Sequence, residues 1–118
     1  MNRILVLDDD PDILSLVQAI LKMNNFAVEA ISRWENMDNS ITSFNPDLIL
    51  LDVSLIGADG RDICKKIKHA DKTRHIPVIL FSANAEMGKN IQDCQAEGFI
   101  AKPFELSDFV QTIRIHLN

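Results

Sequence analysis

Short apolar runs alternate along this chain with longer stretches whose apolar residues recur every three or four positions. The runs are Ile4-Leu5-Val6-Leu7, Phe26 to Ile31, Leu48-Ile49-Leu50-Leu51, Ile76 to Phe81 and Phe99-Ile100-Ala101. Their length suits strands, and Pro77 stands near the start of its run, where a strand tolerates it. Between them, Ile13, Val17, Ile20 and Leu21 keep helical spacing. Asp10 is placed to cap that helix, with Pro11 in its first turn. Ser32 is placed to cap a second helix carrying Trp34, Met37, Ile41 and Phe44, which Pro46-Asp47 breaks. After a loop from Gly57 to Gly60, a third helix is marked by Ile63, Ile67 and Ala70. A fourth is expected between Ala85 and Glu97. The last carries Leu106, Phe109, Val110, Ile113 and Leu117 on one stripe.

That order is five βα units in succession. Strands apolar on both faces belong to a parallel sheet covered by helices on each side. Right-handed crossovers leave few ways to connect them. The expected fold is α/β: a flavodoxin-like, doubly wound, five-stranded parallel sheet, (βα)5, with strand order 2-1-3-4-5. No linker, repeat or low-complexity segment divides residues 1–118, which read as one domain.

Composition narrows the function. The net charge of −5 opposes the phosphate affinity on which nucleic-acid binding rests, so no DNA binding by this domain alone is expected. It equally opposes a basic membrane-surface helix. The run at Ile4 to Leu7 is too short for a signal peptide core or a membrane span, which points to the cytoplasm. Cys64 and Cys94 have neither metal-site nor disulfide-scaffold spacing and read as small buried thiols. His69, His75 and His116 are scattered and read as surface residues, and Trp34 as core or helix packing.

In a doubly wound sheet, ligands bind beyond the carboxyl ends of the strands. The residues there are Asp8, Asp9 and Asp10 after the first run, Asp52 after the third, Ser82 after the fourth and Lys102-Pro103 after the fifth. Two carboxylates ~5 Å apart repel by roughly 3 kcal/mol at an effective dielectric near 20. Three in one pocket call for a cation, and one lysine offsets only part of the repulsion. Hard oxygen donors with open positions suit Mg2+. With Lys102 and Ser82, such a pocket can clamp phosphate oxygens, and an aspartate can itself take a phosphoryl group. Asp10 is expected to be only a cap. No glycine-rich loop follows the first strand, which excludes a dinucleotide fingerprint or a P-loop.

Val6-Leu7-Asp8-Asp9-Asp10-Pro11, Leu50-Leu51-Asp52, Gly57-Ala58-Asp59-Gly60, Phe81-Ser82-Ala83 and Ala101-Lys102-Pro103-Phe104 together resemble the receiver domain of bacterial two-component response regulators. The resemblance spans nearly the whole chain. It implies a signalling switch that catalyses only its own phosphoryl transfer and slow hydrolysis. Asp52 would accept the phosphoryl group from a sensor histidine kinase or a histidine phosphotransfer protein. It implies Mg2+ held by Asp9, Asp52 and the Ser54 backbone carbonyl, with Asp8 acting through water. Ser82 and Lys102 would hold phosphoryl oxygens, and Phe99 occupies the aromatic switch position. An unknown downstream protein would meet the face formed by helix 4, strand 5 and helix 5. The resemblance also implies a cis bond between Lys102 and Pro103, the one bond type where cis costs under ~1 kcal/mol.

The chain departs from the family pattern at four places. Ile56 stands where proline is usual, Phe99 where tyrosine is common, and Ser82 where threonine is commoner. The stretch from Ser82 to Phe99 is about two residues short, which bears on the fourth helix and its exit turn at Gly98. Two rivals are weaker. Asp8-x-Asp10 superficially matches the nucleophile motif of haloacid dehalogenase-like phosphatases, which would use Asp8 and need a longer chain. A binding module with this fold but no phosphorylation usually loses an acidic or lysine position, and all are present here.

Overall fold

The structure, a computed structural model, describes residues 1–89 and 91–117, at Ala85 by its backbone alone. Five strands form one parallel sheet: β1 (Arg3–Leu7), β2 (Ala27–Ile31), β3 (Leu48–Asp52), β4 (Val78–Ser82) and β5 (Gly98–Ala101). Their order is β2-β1-β3-β4-β5, as expected from the pattern. Among the described residues four α-helices accompany them: α1 (Pro11–Met23), α2 (Met37–Phe44), α3 (Gly60–His69) and α4 (Leu106–His116).

The period of two along each strand divides the core. Ile4, Val6, Leu48, Leu50, Ile79 and Phe81 face one side, where Val17 and Leu21 of α1 and Phe109 and Ile113 of α4 pack on them. Leu5, Leu7, Ile49, Leu51, Val78 and Leu80 face the other, against Met37 of α2 and Cys64 and Ile67 of α3. Both faces of β3 and β4 are buried over their whole length. That explains why those runs are apolar without alternation.

Local chemistry sets where the elements start. Asp10 caps α1, accepting from the amides of Asp12 (2.9 Å) and Ile13 (3.4 Å), with Pro11 in the first turn. Asp59 caps α3 through the Arg61 amide at 2.8 Å. The loop expected from Gly57 to Gly60 is a tight hairpin, Ser54–Leu55 pairing antiparallel with Ala58–Asp59. Gly60 follows it because the chain doubles back onto β3. Its amide donates to the Val53 carbonyl at 2.8 Å, and a Cβ there would run into the Asp52 carbonyl.

The second and fourth helices differ from expectation. Ser32 caps nothing: a 3-10 turn over Trp34–Asn36 leads directly into α2. Trp34 is on the surface rather than in the core, 36% exposed.

The α-helix expected between Ala85 and Glu97 is not formed among the described residues. Two 3-10 turns, Ala85–Gly88 and Ile91–Asp93, make the crossover; Asn90 lies outside the described residues. Among the described residues the expected (βα)5 is therefore a five-stranded sheet with four α-helices. The physical reason lies at both ends of the segment. Gly88 is pressed against the Phe99 ring, so that a Cβ there would lie 2.7 Å from Cδ2. At the exit, Gln95 takes a positive φ of 65°. Glu97 then bonds back to β4, its amide to the Val78 carbonyl at 2.9 Å and its carboxylate to the Val78 amide at 2.7 Å. The buried Lys68 ammonium holds the other Glu97 oxygen at 2.7 Å. A chain pinned so closely to Phe99 and Val78 packs as short turns.

Candidate functional site

The carboxyl edge of the sheet gathers residues from four strand ends. Asp8 and Asp9 follow β1, Asp52 closes β3, Ser82 closes β4 and Lys102 follows β5. Carboxylate oxygens of Asp8, Asp9 and Asp52 lie within 4.8 Å of one another. Asp8 and Asp52 are buried, and Asp9 is half-buried at the mouth.

Each carboxylate has different company. Asp8 Oδ2 accepts from Lys102 Nζ at 2.8 Å and its Oδ1 from the Asp10 amide at 2.9 Å. Asp9 Oδ2 accepts from the Ile56 amide at 2.7 Å. Asp52 Oδ1 has only longer contacts, 3.4 Å to the Ser54 amide and 3.4 Å to Lys102 Nζ. Burial first, and then the Asp8 charge, push the Asp52 carboxyl up from 3.8 to about 6, against the opposing pull of Lys102. A carboxylate in a low-dielectric pocket beside a like charge holds its proton more tightly.

Lys102 is placed by its own surroundings. Its amide donates to the Ser82 carbonyl at 2.8 Å, and the bond to Pro103 is cis, as expected. Its ammonium also lies 4.3 Å from the centroid of the Phe81 ring. That contact is a cation–π interaction at the edge of the core. Phe81 stands in the Phe81-Ser82-Ala83 motif, but the sequence reading gave it no role at the site. The signal available was its position beside Ser82 on the strand next to Asp52.

Ser82 is buried, but its hydroxyl is engaged away from the carboxylates. It accepts from the Asn84 amide at 3.1 Å and donates to Met87 Sδ at 3.7 Å. Met87 precedes Gly88, the residue pressed against the half-buried Phe99. Met87 is therefore a second neighbour of the site that sequence reasoning missed. Ser54 is exposed in the hairpin beside Asp52. Asp10 stays outside the cluster as a cap. His69 and His75 are exposed, while His116 is half-buried with its ring over Gly98. Cys64 and Cys94 are buried thiols, as expected. They meet in the core, where the Cys64 thiol donates to the Cys94 carbonyl at 3.3 Å.

An acidic triad, a lysine and a serine on the carboxyl edge of a 2-1-3-4-5 sheet bear on family. The family model described as "Response regulator receiver domain" matches residues 4–114. The chain belongs to that family. It is a signalling domain of the two-component type, not a classical enzyme. Relatives of this receiver domain include the phosphate regulon transcriptional regulatory protein PhoB of Escherichia coli, 36% identical over 119 residues. That alignment covers 96% of this chain and 50% of PhoB. The DNA-binding dual master transcriptional regulator RpaA of Synechocystis is 32% identical over 97% of this chain and 48% of its own length. The receiver domain thus spans about half the length of the curated relatives it matches. A similar fold is seen in the receiver domain of the sensor histidine kinase PA1611 of Pseudomonas aeruginosa, a structure with a magnesium ion in its active-site cleft. It has a TM-score of 0.86 at 24% identity, over 97% of this chain and 95% of that one. No helix among the described residues is long and apolar enough to cross a membrane.

Proposed function

We propose that Asp52 is the phosphoacceptor of this receiver domain and that Lys102 and Ser82 receive the phosphoryl oxygens. One observation carries the choice of Asp52 over its neighbours. Both Asp8 oxygens are engaged by short bonds, and Asp9 is tied to the Ile56 amide. Asp52 keeps the longest contacts, and its carboxyl is raised above its ordinary value, so its oxygen is the most available of the three carboxylates. The same comparison disfavours Asp8 as the nucleophile, since each of its oxygens already accepts a short bond.

The donor set fits a magnesium ion held by Asp9, Asp52 and the Ser54 carbonyl, with Asp8 acting through water. Three carboxylates of hard oxygen lie within reach of one another, and their mutual repulsion is only partly met by Lys102. When bound, the ion neutralises the carboxylates and the incoming phosphoryl oxygens.

In the transfer, the Asp52 oxygen bonds to phosphorus as the N–P bond of a ring-protonated phosphohistidine breaks, leaving neutral imidazole on the donor. The donor is a sensor histidine kinase or a histidine phosphotransfer protein meeting the domain in the cytoplasm. Lys102, already 3.4 Å from Asp52, moves toward the new charge. The Ser82 hydroxyl turns from Met87 to donate to a phosphoryl oxygen. Releasing Met87 loosens the turn that carries Gly88, and Phe99 gains freedom to repack. The face presented to a downstream protein is then the 3-10 crossover, β5 and α4, replacing the helix 4–strand 5–helix 5 face expected from the family. Phosphorylation biases an arrangement already available to the domain.

The test is incubation with phosphoramidate, with and without magnesium, read by intact mass. A magnesium-dependent gain of one phosphoryl group, absent in Asp52→Asn and reduced in Lys102→Met, is expected. Undiminished labelling of Asp52→Asn overturns the assignment.

A further inference from the structure

A groove of about 390 Å3 lies between α2 and α3, on the face of the sheet away from α1 and α4. Met37 and Ile41 line it from α2, and Ile63 and Ile67 from α3. It follows α3 from the Asp59 cap to Thr73 beyond the helix end. Ten helical residues rise ~15 Å, so the slot is long as well as apolar. No convergent set of polar groups marks it as a small-molecule site.

Its rim is acidic. Glu35, Asp38 and Asp62 line the end nearer the phosphoacceptor loop and are all exposed, while Lys66 is the only ammonium lining the groove. Arg33 lies 3.5 Å from Glu35, but both side chains are well exposed and the pair is weak. The charge of Asp59 is taken by Arg61 at 2.6 Å. Trp34 stands at the same end, its indole nitrogen 3.4 Å from where a side chain on Gly57 would begin. A half-exposed indole beside apolar floor and carboxylates is the mixed surface on which protein partners anchor.

We propose that this groove docks an amphipathic helix of a partner protein, with apolar residues at three- and four-residue spacing and lysine or arginine beside them. A helix is the occupant because α2 and α3 both line the groove and present apolar ridges at that spacing. A basic one is required because unpaired carboxylates outnumber the lone lysine on the rim. The chain's charge of −5 steers the same partner toward it. The groove is separate from the crossover, β5 and α4, so the inference stands whether or not Asp52 is the phosphoacceptor.

The probe is an alanine-based peptide of about 16 residues, a length that gives four helical turns, with leucines at helical spacing and flanking arginines. A second peptide carries glutamate in place of arginine. Trp34 is the only tryptophan and there is no tyrosine, so its emission reports the groove directly. Saturable change in Trp34 emission with the arginine peptide is expected, with amide shifts confined to α2, α3 and residues 57–59. The glutamate peptide should bind at least tenfold more weakly. Asp38→Lys with Asp62→Lys should weaken the arginine peptide by a similar factor, and Asp108→Lys on α4 should not. Both rim residues are exposed, and far-UV circular dichroism checks that the variant is folded. No saturable change with the arginine peptide, equal affinity for the two peptides, or a footprint on α1 and α4 overturns the proposal. Concentration-dependent dimerisation through the Trp34 face would assign the groove to a second copy instead.

Discussion

Lys102 is held more closely by Asp8 than by Asp52: its ammonium is 2.8 Å from Asp8 Oδ2 and 3.4 Å from Asp52 Oδ1. The lysine balances a fully buried carboxylate while standing next to the proposed phosphoacceptor. Removing it leaves Asp8 unpaired in the core. Lys102→Met is expected to lower the metal-free unfolding free energy by about 3 kcal/mol, at the low end for breaking a buried pair. Urea melts in chelator measure it, and millimolar magnesium should recover part of the loss by neutralising the same carboxylates.

The raised Asp52 carboxyl makes stability depend on pH in a definite direction. Its value is about 6 in the folded chain against 3.8 ordinarily. Between those values the folded state holds a proton that the unfolded state has released. The Asp52 contribution therefore falls as pH rises through that window, by about 3 kcal/mol in all. Asp59 acts in the opposite sense. Its carboxyl is lowered chiefly by the Arg61 hydrogen bond, so its contribution is lost as pH falls. Comparing wild type with Asp52→Asn in chelator from pH 3.5 to 7 isolates the first effect. The variant should gain on the wild type as pH rises, and parallel curves would remove the basis for the raised value.

The carboxyl edge was legible because its residues sit at chain positions that any parallel sheet brings together: Asp8 and Asp9 after one buried run, Asp52, Ser82 and Lys102 after three others. The Asp10 cap was legible for the same local reason, a carboxylate just before Pro11. The crossover was legible only in part: the stretch from Ser82 to Phe99 is about two residues short, but the form it takes was not readable. Met87, Ile91 and Cys94 keep helical spacing, and local pattern alone favours a helix there. What prevents it is non-local. Gly88 packs against Phe99, and Glu97 is bound to Val78 and to Lys68, which is 29 residues away in sequence. Trp34 was misplaced for a related reason: its ring is large enough for a core, but it falls in the 3-10 turn before α2 and stays 36% exposed at the mouth of a surface groove.

Gly60 leaves no space for a side chain. Its Cβ position is occupied by the Asp52 carbonyl and lies 2.9 Å from Val53 Cα, both backbone. Gly60→Ala is expected to cost about 1 to 3 kcal/mol, the usual penalty for overpacking a rigid site. Because the strain falls on the Asp52 backbone, phosphorylation by small donors should slow as well. Denaturant melts and single-donor kinetics measure the two effects.

Magnesium binding should be visible from Trp34. The indole lies against Gly57, next to Ile56, whose amide holds Asp9. An ion drawing on Asp9 must disturb that hairpin. A change in Trp34 emission that saturates with magnesium is expected, together with a rise in melting temperature. Both should be lost in Asp9→Ala. A silent tryptophan in a protein whose melting temperature does rise would place the ion away from Asp9.

The coupling through Ser82 predicts where spectra change on activation. With beryllofluoride and magnesium, amide shifts should extend from the carboxylates to residues 82–89 and 98–101. Ser82→Ala should shrink the shifts at Met87, Gly88 and Phe99 while leaving those near Asp52. Shifts confined to the aspartate pocket in the wild type would refute the relay.

The central claim, that Asp52 takes the phosphoryl group, is tested most directly by reductive trapping. Protein phosphorylated with phosphoramidate and magnesium is treated with borohydride, which converts an aspartyl phosphate to homoserine, and peptides are sequenced by tandem mass spectrometry. Homoserine at position 52, with Asp8 and Asp9 intact, is the predicted result. Homoserine at position 8 or 9 with Asp52 unchanged would contradict it.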